Sequence, residues 1–159
     1  MAKELSASAR KVQEILQNRG FTSEVVELPG STRTAKEAAQ AIGCRVEQIV
    51  KSLIFRTLDS DKPVLVVASG TNRVNEQRLG ERLGETIGKA DANFVRQHTG
   101  FAVGGVPPLG HSEPIRTFID EDLLQYEQIW AAAGTPFAVF RLTPTELQEM
   151  TGGDVVAIK

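Results

Sequence analysis

The sequence predicts a mixed α/β domain, α+β-like in character, in which helices surround one twisted, partly closed and barrel-like sheet. Segments with apolar residues at helical spacing alternate with short strand-like runs along the chain. Some of these runs follow each other across a short turn, as antiparallel hairpins do, whereas others are separated by a helix. This mixed order favours the predicted class over a doubly wound parallel sheet. The length of 159 residues fits a single domain, residues 1–159.

The N-terminal part predicts a helix and a short strand. Apolar residues recur at helical spacing over residues 5–16, and the pattern stops at Gly20, which predicts an amphipathic helix. Residues 24–28 are typical of a strand, and Pro29-Gly30-Ser31 then breaks the chain.

A second helix and a hairpin follow. Residues 34–43 begin with a Thr that is followed three residues later by Glu, and they end at Gly, which predicts a capped helix. Residues 50–57 and 64–69 are strand-like, and the turn-rich segment 59–63 separates them. We therefore expect an antiparallel pair.

The C-terminal half predicts three more helices and four strands. Residues 75–83 and 91–98 each begin with a capping side chain and stop before a Gly, and Thr143-Pro144-Thr145-Glu146 is a strong helix start. The remaining strands are expected at residues 115–119, 127–133, 137–142 and 154–158.

Composition excludes several classes of function. Cys44 is the only cysteine and the histidines are His98 and His111, so we expect no disulfide and no metal site. A net charge of −2 disfavours an extended electrostatic interface with duplex nucleic acid but is compatible with a local basic pocket. No apolar run is long enough for a membrane span, and residues 1–4 lack the apolar region of a signal peptide, so we expect a cytoplasmic protein. Residues 84–90 do not match a phosphate-binding loop, because the glycines are one residue too close and Ala90 stands where Ser or Thr is needed.

The segment 101–111 is a candidate binding loop. It has three glycines and two prolines within seven residues, a composition that suits a rigid loop with accessible backbone N–H groups. Such donors suit an oxyanion or a carbonyl. A tight connection between two strands explains the same composition about equally well.

Lys51 is a candidate for binding negative charge. Strand alternation places it on the same face as Leu53 and Phe55, so an ammonium group stands on an apolar face. It is either a cation held at a pocket mouth or a lysine that extends to water from the end of the strand.

Four segments together resemble a known family, the YbaK/EbsC-type aminoacyl-tRNA deacylases, which are relatives of the editing domain inserted in bacterial prolyl-tRNA synthetase. The resemblance covers about residues 5–158 and makes residues 1–159 a YbaK-like editing domain. The resemblance is strongest in the predicted strand that contains Lys51 and in the Gly-x-x-x-Pro loop, residues 104–108. The four segments are Thr32-Arg33-Thr34-Ala35, Ile49-Val50-Lys51-Ser52-Leu53, residues 99–110, and Ile129-Trp130 leading to Gly134.

This resemblance implies a trans-acting hydrolase that cleaves the ester between a wrong amino acid and the terminal adenosine of a tRNA. The implied substrates are tRNA-Pro carrying alanine, cysteine or serine, and prolyl-tRNA synthetase is a candidate partner. It also implies that no metal, no cofactor and no side-chain nucleophile is needed, because the terminal ribose hydroxyl of the tRNA helps to activate or position water.

The residues predicted for the site fall into two groups. Lys51, Gly104 and Gly105 are the catalytic candidates, with Lys51 holding the phosphate or ribose end of the adenosine and the glycine N–H groups stabilising an oxyanion. Taken singly, His111 is explained as a turn-capping or solvent-facing residue, and Phe55, Val103 and Trp130 as core residues. The substrate-binding candidates are Thr34, Ser52, Phe55, Val103, Val106, Pro107, Pro108, His111, Trp130 and Gly134.

One departure from the family pattern keeps alternatives open. Several relatives have Ser-Gly-Gly-Lys-Arg-Gly where residues 132–137 here read Ala-Ala-Gly-Thr-Pro-Phe, which removes a hydroxyl and two cations. A non-catalytic module that binds tRNA or a synthetase is therefore the alternative, and an esterase for a small metabolite is a weaker one. The basic residues that are candidates for acceptor-end contacts, or for an ordinary charged surface, are Arg33, Lys36, Arg56, Arg73 and Arg78.

Overall fold

One mixed sheet of eight strands organises the described part of the molecule, residues 5–159 of a computed structural model. Residues 1–4, which the sequence prediction includes in the same domain, lie outside the described residues. The α-helices are α1 (Ala7–Asn18), α2 (Ala35–Ile42), α3 (Glu76–Leu83), α4 (Ala92–Thr99) and α5 (Pro144–Thr151). The strands are β1 (Val25–Glu27), β2 (Ile49–Thr57), β3 (Pro63–Ser69), β4 (Ile87–Lys89), β5 (Arg116–Asp120), β6 (Ile129–Ala132), β7 (Ala138–Leu142) and β8 (Asp154–Val156).

The predicted mixed α/β class is confirmed. The strand order is β1-β7-β6-β2-β3-β5-β8, and β4 also pairs with β2. The hairpin β2–β3 is antiparallel, as predicted, and so is β6–β7, whereas β6 pairs with β2 and β5 with β3 in parallel. Within the described residues the sheet is not closed, because β1 and β8 stand at its two ends without pairing with each other.

Local sequence signals set most helix ends. The hydroxyl of Thr34 accepts the N–H of Glu37 at the start of α2, and Thr143 and Glu146 form a reciprocal capping box at the start of α5. The short strand β4 was not predicted, because three residues carry too little pattern and their pairing depends on β2. Two 3-10 turns, Val46–Gln48 and Glu121–Gln125, complete the chain.

Core side chains pack against both faces of the central strands of the sheet. Every residue of the central strand β3 is therefore buried. On one face α1 and α5 pack against the sheet through Leu16 and Leu147, close to Phe140 of β7. On the other face Leu79 of α3 packs with Phe118 of β5. Both faces are therefore covered, and what remains accessible around β2 is an edge of the strand. None of the described helices has the length and apolar character to cross a lipid bilayer.

Candidate functional site

A cleft lined by several of the predicted site residues lies against the first half of β2. It has a volume of about 480 Å³ and is bounded by the loop before α2, the start of α2, β2, the glycine-rich loop and β6. These segments are far apart in the sequence, so the fold creates the cleft. The predicted site residues that line it are Thr34, Lys51, Ser52, Val103, Gly104, Val106 and Trp130.

Strand β2 pairs with β3 along one edge, and part of its other edge, which borders this cleft, is unpaired. Its first two residues pair with β6 and its last three with β4, so among the described strands only β3 pairs with residues 51–54. The N–H of Thr57 points to the β3 side, where it donates to Lys62, and the N–H of Leu58 points to the β4 side, where it donates to Thr86. Because backbone directions alternate along a strand, the N–H of Ser52 points into the gap between β6 and β4.

The gap explains how side chains from both faces of β2 reach one cleft. Lys51 lies on the face of Leu53 and Phe55, as the alternation predicts, and Ser52 lies on the opposite face with Val50. The cleft meets the strand at its edge and is lined by Lys51, Ser52 and Leu53 together. An amino group and a hydroxyl group thus belong to residues that line the same cleft.

The ammonium group of Lys51 is held by the chain that follows β3. Its Nζ donates to the backbone carbonyl of Asn72 at 2.7 Å. Burial lowers the pKa of Lys51 below its usual range, the nearby Arg73 lowers it further, and Asp120 acts in the opposite direction. Within the described residues no carboxylate forms an ion pair with Lys51. Its positive charge therefore remains available to an anionic ligand.

A buried carboxylate organises the segment that holds Lys51. Asp120 is 1% exposed, and one of its oxygens accepts the N–H of Ser69 at 3.0 Å and the side-chain amide of Asn72 at 2.8 Å. The other oxygen accepts the N–H of Asp122 at 2.9 Å. Asp120 therefore fixes Asn72 and, through the carbonyl of Asn72, the position of Lys51. Neither Asp120 nor Asn72 was predicted from the sequence.

The glycine-rich loop is anchored at buried residues and exposes its tip. Phe101, Val106 and Leu109 are buried, whereas Val103 is 54% exposed. Gly104 has a φ of 93°, a conformation that favours glycine, and a Cβ there would lie 3.4 Å from the side chain of Arg33. The loop is therefore a fixed part of the cleft wall.

The backbone donors of this loop differ from the prediction. The N–H of Gly105 donates to the carbonyl of Ala102 at 3.0 Å, so it is already used inside the loop. The N–H groups of Gly104 and Val106 have no acceptor among the described residues, and both residues line the cleft. Gly104 and Val106, rather than Gly104 and Gly105, are thus the available pair of donors.

The other predicted residues lie outside the cleft lining, because they support the loop or the core. Phe55 packs in the core beside α3. Gly105 contacts Gly134, whose N–H donates to the Gly105 carbonyl at 2.8 Å. His111 hydrogen-bonds through Nε2 to the carbonyl of Pro107 at 2.7 Å, and burial lowers the pKa of its imidazole. With Pro108 it lines a separate surface hollow.

Two cations of the cleft were only weak candidates in the sequence. Arg33 and Lys36 both line the cleft with Lys51, since they lie on the loop and the first turn of α2. Arg56, by contrast, forms an ion pair with Asp61 away from the cleft. Scattered charges in a sequence do not show which of them converge. The described residues contain no group of three or more His, Cys, Asp or Glu arranged to hold a metal ion.

Comparison with known proteins identifies relatives of this arrangement. A family model described as "Aminoacyl-tRNA editing domain" matches residues 30–150. The "Uncharacterized protein YwhH" of Bacillus subtilis is 30% identical over 129 residues, which are 81% of this chain and 82% of that protein. The "Putative Cys-tRNA(Pro)/Cys-tRNA(Cys) deacylase EbsC" of Enterococcus faecalis is 25% identical over 130 residues, 79% of this chain and 76% of that protein.

A solved structure extends the similarity to nearly the whole chain. "Crystal structure of a putative trans-editing enzyme for prolyl tRNA synthetase" has a TM-score of 0.93 and 51% sequence identity. The match covers 98% of this chain and 99% of that one. At this identity the backbone around the cleft is expected to be shared as well as the topology.

Proposed function

This chain belongs to the aminoacyl-tRNA editing domain family, and on that premise we propose that it hydrolyses the ester bond between a wrongly attached amino acid and the terminal adenosine of a tRNA. The observation that carries the proposal is the cleft, which combines the cation of Lys51 with the unpaired backbone N–H groups of Gly104 and Val106. A cation suits a phosphate or ribose end, and paired N–H donors suit an ester carbonyl.

The proposed reaction needs only groups that the cleft and the substrate supply. A water oxygen bonds to the ester carbonyl carbon, and the carbonyl oxygen becomes an oxyanion that accepts hydrogen bonds from Gly104 and Val106. The bond to the ribose oxygen then breaks, and this oxygen takes a proton that the attacking water loses. One such donor contributes about 3 to 4 kcal/mol to the transition state in other hydrolases. Because no His, Asp or Glu lines the cleft in the described part of the chain, a terminal ribose hydroxyl of the tRNA is the proposed group that positions or activates the water.

The charged rim of the cleft supports an acceptor-end substrate. Arg33, Lys36 and Lys51 line the same cleft, although the whole chain has a net charge of −2. A local group of cations fits a few phosphates of a single-stranded end better than a duplex. The tRNA acceptor end is therefore the proposed partner, in the cytoplasm where aminoacyl-tRNA is used.

We further propose alanine, cysteine or serine as the amino acid and the proline tRNA as its carrier. The names of the EbsC relative and of the similar solved structure, which refer to Cys-tRNA(Pro) and to prolyl tRNA synthetase, support this choice. The walls of the cleft near β2 and β6 carry small apolar side chains, among them Val50 and Ala131, which suits a small amino acid. Prolyl-tRNA synthetase is the proposed source of the mischarged tRNA.

The test is deacylation of tRNA-Pro charged separately with alanine, cysteine, serine and proline. We expect release of one or more of the first three and not of proline. Lys51→Met removes the charge but keeps much of the side-chain stem, and it should reduce kcat/KM by about 100-fold or more. Lys62→Met is the matched control, since Lys62 is exposed in the β2–β3 turn. Absence of release by a folded wild-type protein that still binds the tRNA would instead support the non-catalytic module.

A further inference from the structure

The hydroxyl group of Ser52 is the unsatisfied polar group of the cleft. Its Oγ is shielded from solvent and has no hydrogen-bond partner among the described residues. The other hydroxyls of the cleft wall are occupied, because Thr32 donates to the carbonyl of Pro136 at 2.9 Å and Thr34 accepts the N–H of Glu37 at 3.1 Å. Buried polar groups in proteins almost always have partners, so this exception requires an explanation.

The position of Ser52 in the sheet points to a ligand. Ser52 lies in the middle of the unpaired stretch, residues 51–54, where neither β6 nor β4 covers the edge of β2. Strand alternation directs its backbone N–H into that gap, and its side chain lines the cleft. Ser52 therefore contributes an unpaired main-chain donor and an unpaired hydroxyl group to the same part of the cleft wall.

The surroundings of Ser52 limit what this ligand is. The residues that line the cleft on its face of β2 are Val50, Val106 and Ala131. These side chains are apolar, and Ala131 belongs to β6, which pairs with the start of β2. A small apolar compartment with one hydroxyl group fits a small side chain that has one hydrogen-bonding atom.

We infer that Ser52 selects an aminoacyl group with a hydroxyl or thiol on a small side chain, such as serine, threonine or cysteine, over alanine. This inference rests on the proposed function and names the substrate class of the same site. The Ser52 hydroxyl forms a hydrogen bond with the substrate side chain, and alanine leaves that hydroxyl buried without a partner. A site built around a substrate hydroxyl discriminates strongly against the analogue that lacks it.

The experiment compares kcat/KM for tRNA-Pro charged with serine, threonine, cysteine and alanine, for wild type and Ser52→Ala. We expect wild type to prefer a hydroxyl- or thiol-bearing residue over alanine by about 10- to 100-fold. Ser52→Ala should lose most of that preference, because kcat/KM falls more for serine, threonine and cysteine than for alanine. Since Ser52 Oγ has no protein partner, the variant should fold normally. Ser60→Ala, a change of equal size at an exposed position, should leave the preference unchanged.

Several results would overturn the inference and are separable from failure of the proposed function. If Ser52→Ala slows all charged tRNAs equally, Ser52 contacts a part common to them, the ribose or the ester. Equal release of serine and alanine by wild type would also contradict it. If nothing is hydrolysed, the proposed function fails, and binding of non-hydrolysable seryl and alanyl amides of adenosine then decides the inference. Tighter binding of the seryl amide by wild type, lost in Ser52→Ala, would uphold it, and equal binding would refute it.

Discussion

Replacing Asp120 with asparagine should impair the site through Lys51, although Asp120 does not line the cleft. Its carboxylate accepts three N–H groups, from Ser69, Asn72 and Asp122. The carbonyl of Asn72 in turn accepts the ammonium group of Lys51 at 2.7 Å. Asp120 is therefore a positioning residue that acts through Asn72.

The structure sets the size of the effect. An asparagine side chain has one acceptor oxygen, so its amide group must face at least one of the three N–H donors. The loss of one hydrogen bond to a buried carboxylate lowers the free energy of unfolding by about 1.5 to 3 kcal/mol. A misplacement of a substrate-positioning group by about 1 Å reduces rates by about 100-fold. We therefore expect a folded Asp120→Asn protein with kcat/KM about 10- to 100-fold below wild type.

The pH dependence separates this role from a merely structural one. The carboxylate of Asp120 raises the pKa of Lys51 against the effects of burial and Arg73. Asp120→Asn removes that effect, so Lys51 loses its proton at a lower pH and the alkaline decline in activity begins earlier. Arg73→Gln should shift the decline in the opposite direction, because it removes a cation that lowers the pKa of Lys51. A change in packing alone would lower the rate without moving the decline.

The assay is kcat/KM on mischarged tRNA from neutral to alkaline pH, with the spontaneous hydrolysis of the ester subtracted. Circular dichroism and urea unfolding show whether each variant is folded. Asn72→Ala is the companion variant, since it removes the side-chain amide but keeps the carbonyl that Lys51 uses. It should lower kcat/KM without directly removing a charge near Lys51. A folded Asp120→Asn protein with wild-type kcat/KM and an unmoved alkaline decline would refute the reasoning.

Three further substitutions test the loop that carries the proposed donors. Gly104→Ala forces a side chain into a φ of 93° and should cost about 1 to 3 kcal/mol of stability as well as activity, as urea unfolding and deacylation would show. Gly105→Ala places a Cβ 2.8 Å from the backbone of Gly134, so urea unfolding should show a cost of about 1 to 3 kcal/mol for overpacking; an unchanged midpoint would contradict the tight packing. His111→Gln tests a pH effect. Burial lowers the pKa of His111 in the folded protein. The contribution of its neutral imidazole to the free energy of unfolding is therefore complete above the unfolded pKa of about 6.5 and is lost as pH falls through the folded pKa. Wild type should therefore lose more stability than His111→Gln between about pH 7 and about pH 5, and equal losses would exclude His111 as the cause.

The sequence was sufficient for those parts of the fold that depend on local patterns. The β2–β3 hairpin was predicted because two strand-like runs flank a turn-rich segment, and the start of α5 because Thr143 and Glu146 cap it reciprocally. Strand β4 was missed, since Ile87–Lys89 becomes a strand only by pairing with the end of β2. Local propensity contains no information about such a distant partner.

In the candidate site, too, the features that depend on local patterns could be predicted and those that depend on distant segments could not. Lys51 was found because an ammonium group on an apolar face is unusual within one strand. The gap beside it was not predictable, because it exists only where β6 and β4, far apart in the sequence, both stop short along β2. Asp120 was missed for the same reason, since its partner Asn72 is 48 residues away. The hydrogen bond from the Gly105 N–H to Ala102 was not predictable for a different reason: composition predicts a loop rich in N–H groups but not which of them bond within the loop.

The interrupted edge of β2 gives a physical reason for a site without a catalytic base of its own. An edge between two paired segments holds its free N–H groups in place before any ligand arrives, so little ordering free energy is lost on binding. Lys51 reaches the edge from one face and Ser52 from the other, while the glycine-rich loop closes the cleft with further donors. Such a site can orient an ester and stabilise an oxyanion, but none of the described side chains that line it is suited to take a proton from water at neutral pH. In the proposed reaction the proton of the water therefore passes to the ribose oxygen of the substrate, and the terminal ribose hydroxyl next to the ester positions or activates the water. A mischarged tRNA that lacks this hydroxyl should therefore bind the cleft and resist hydrolysis.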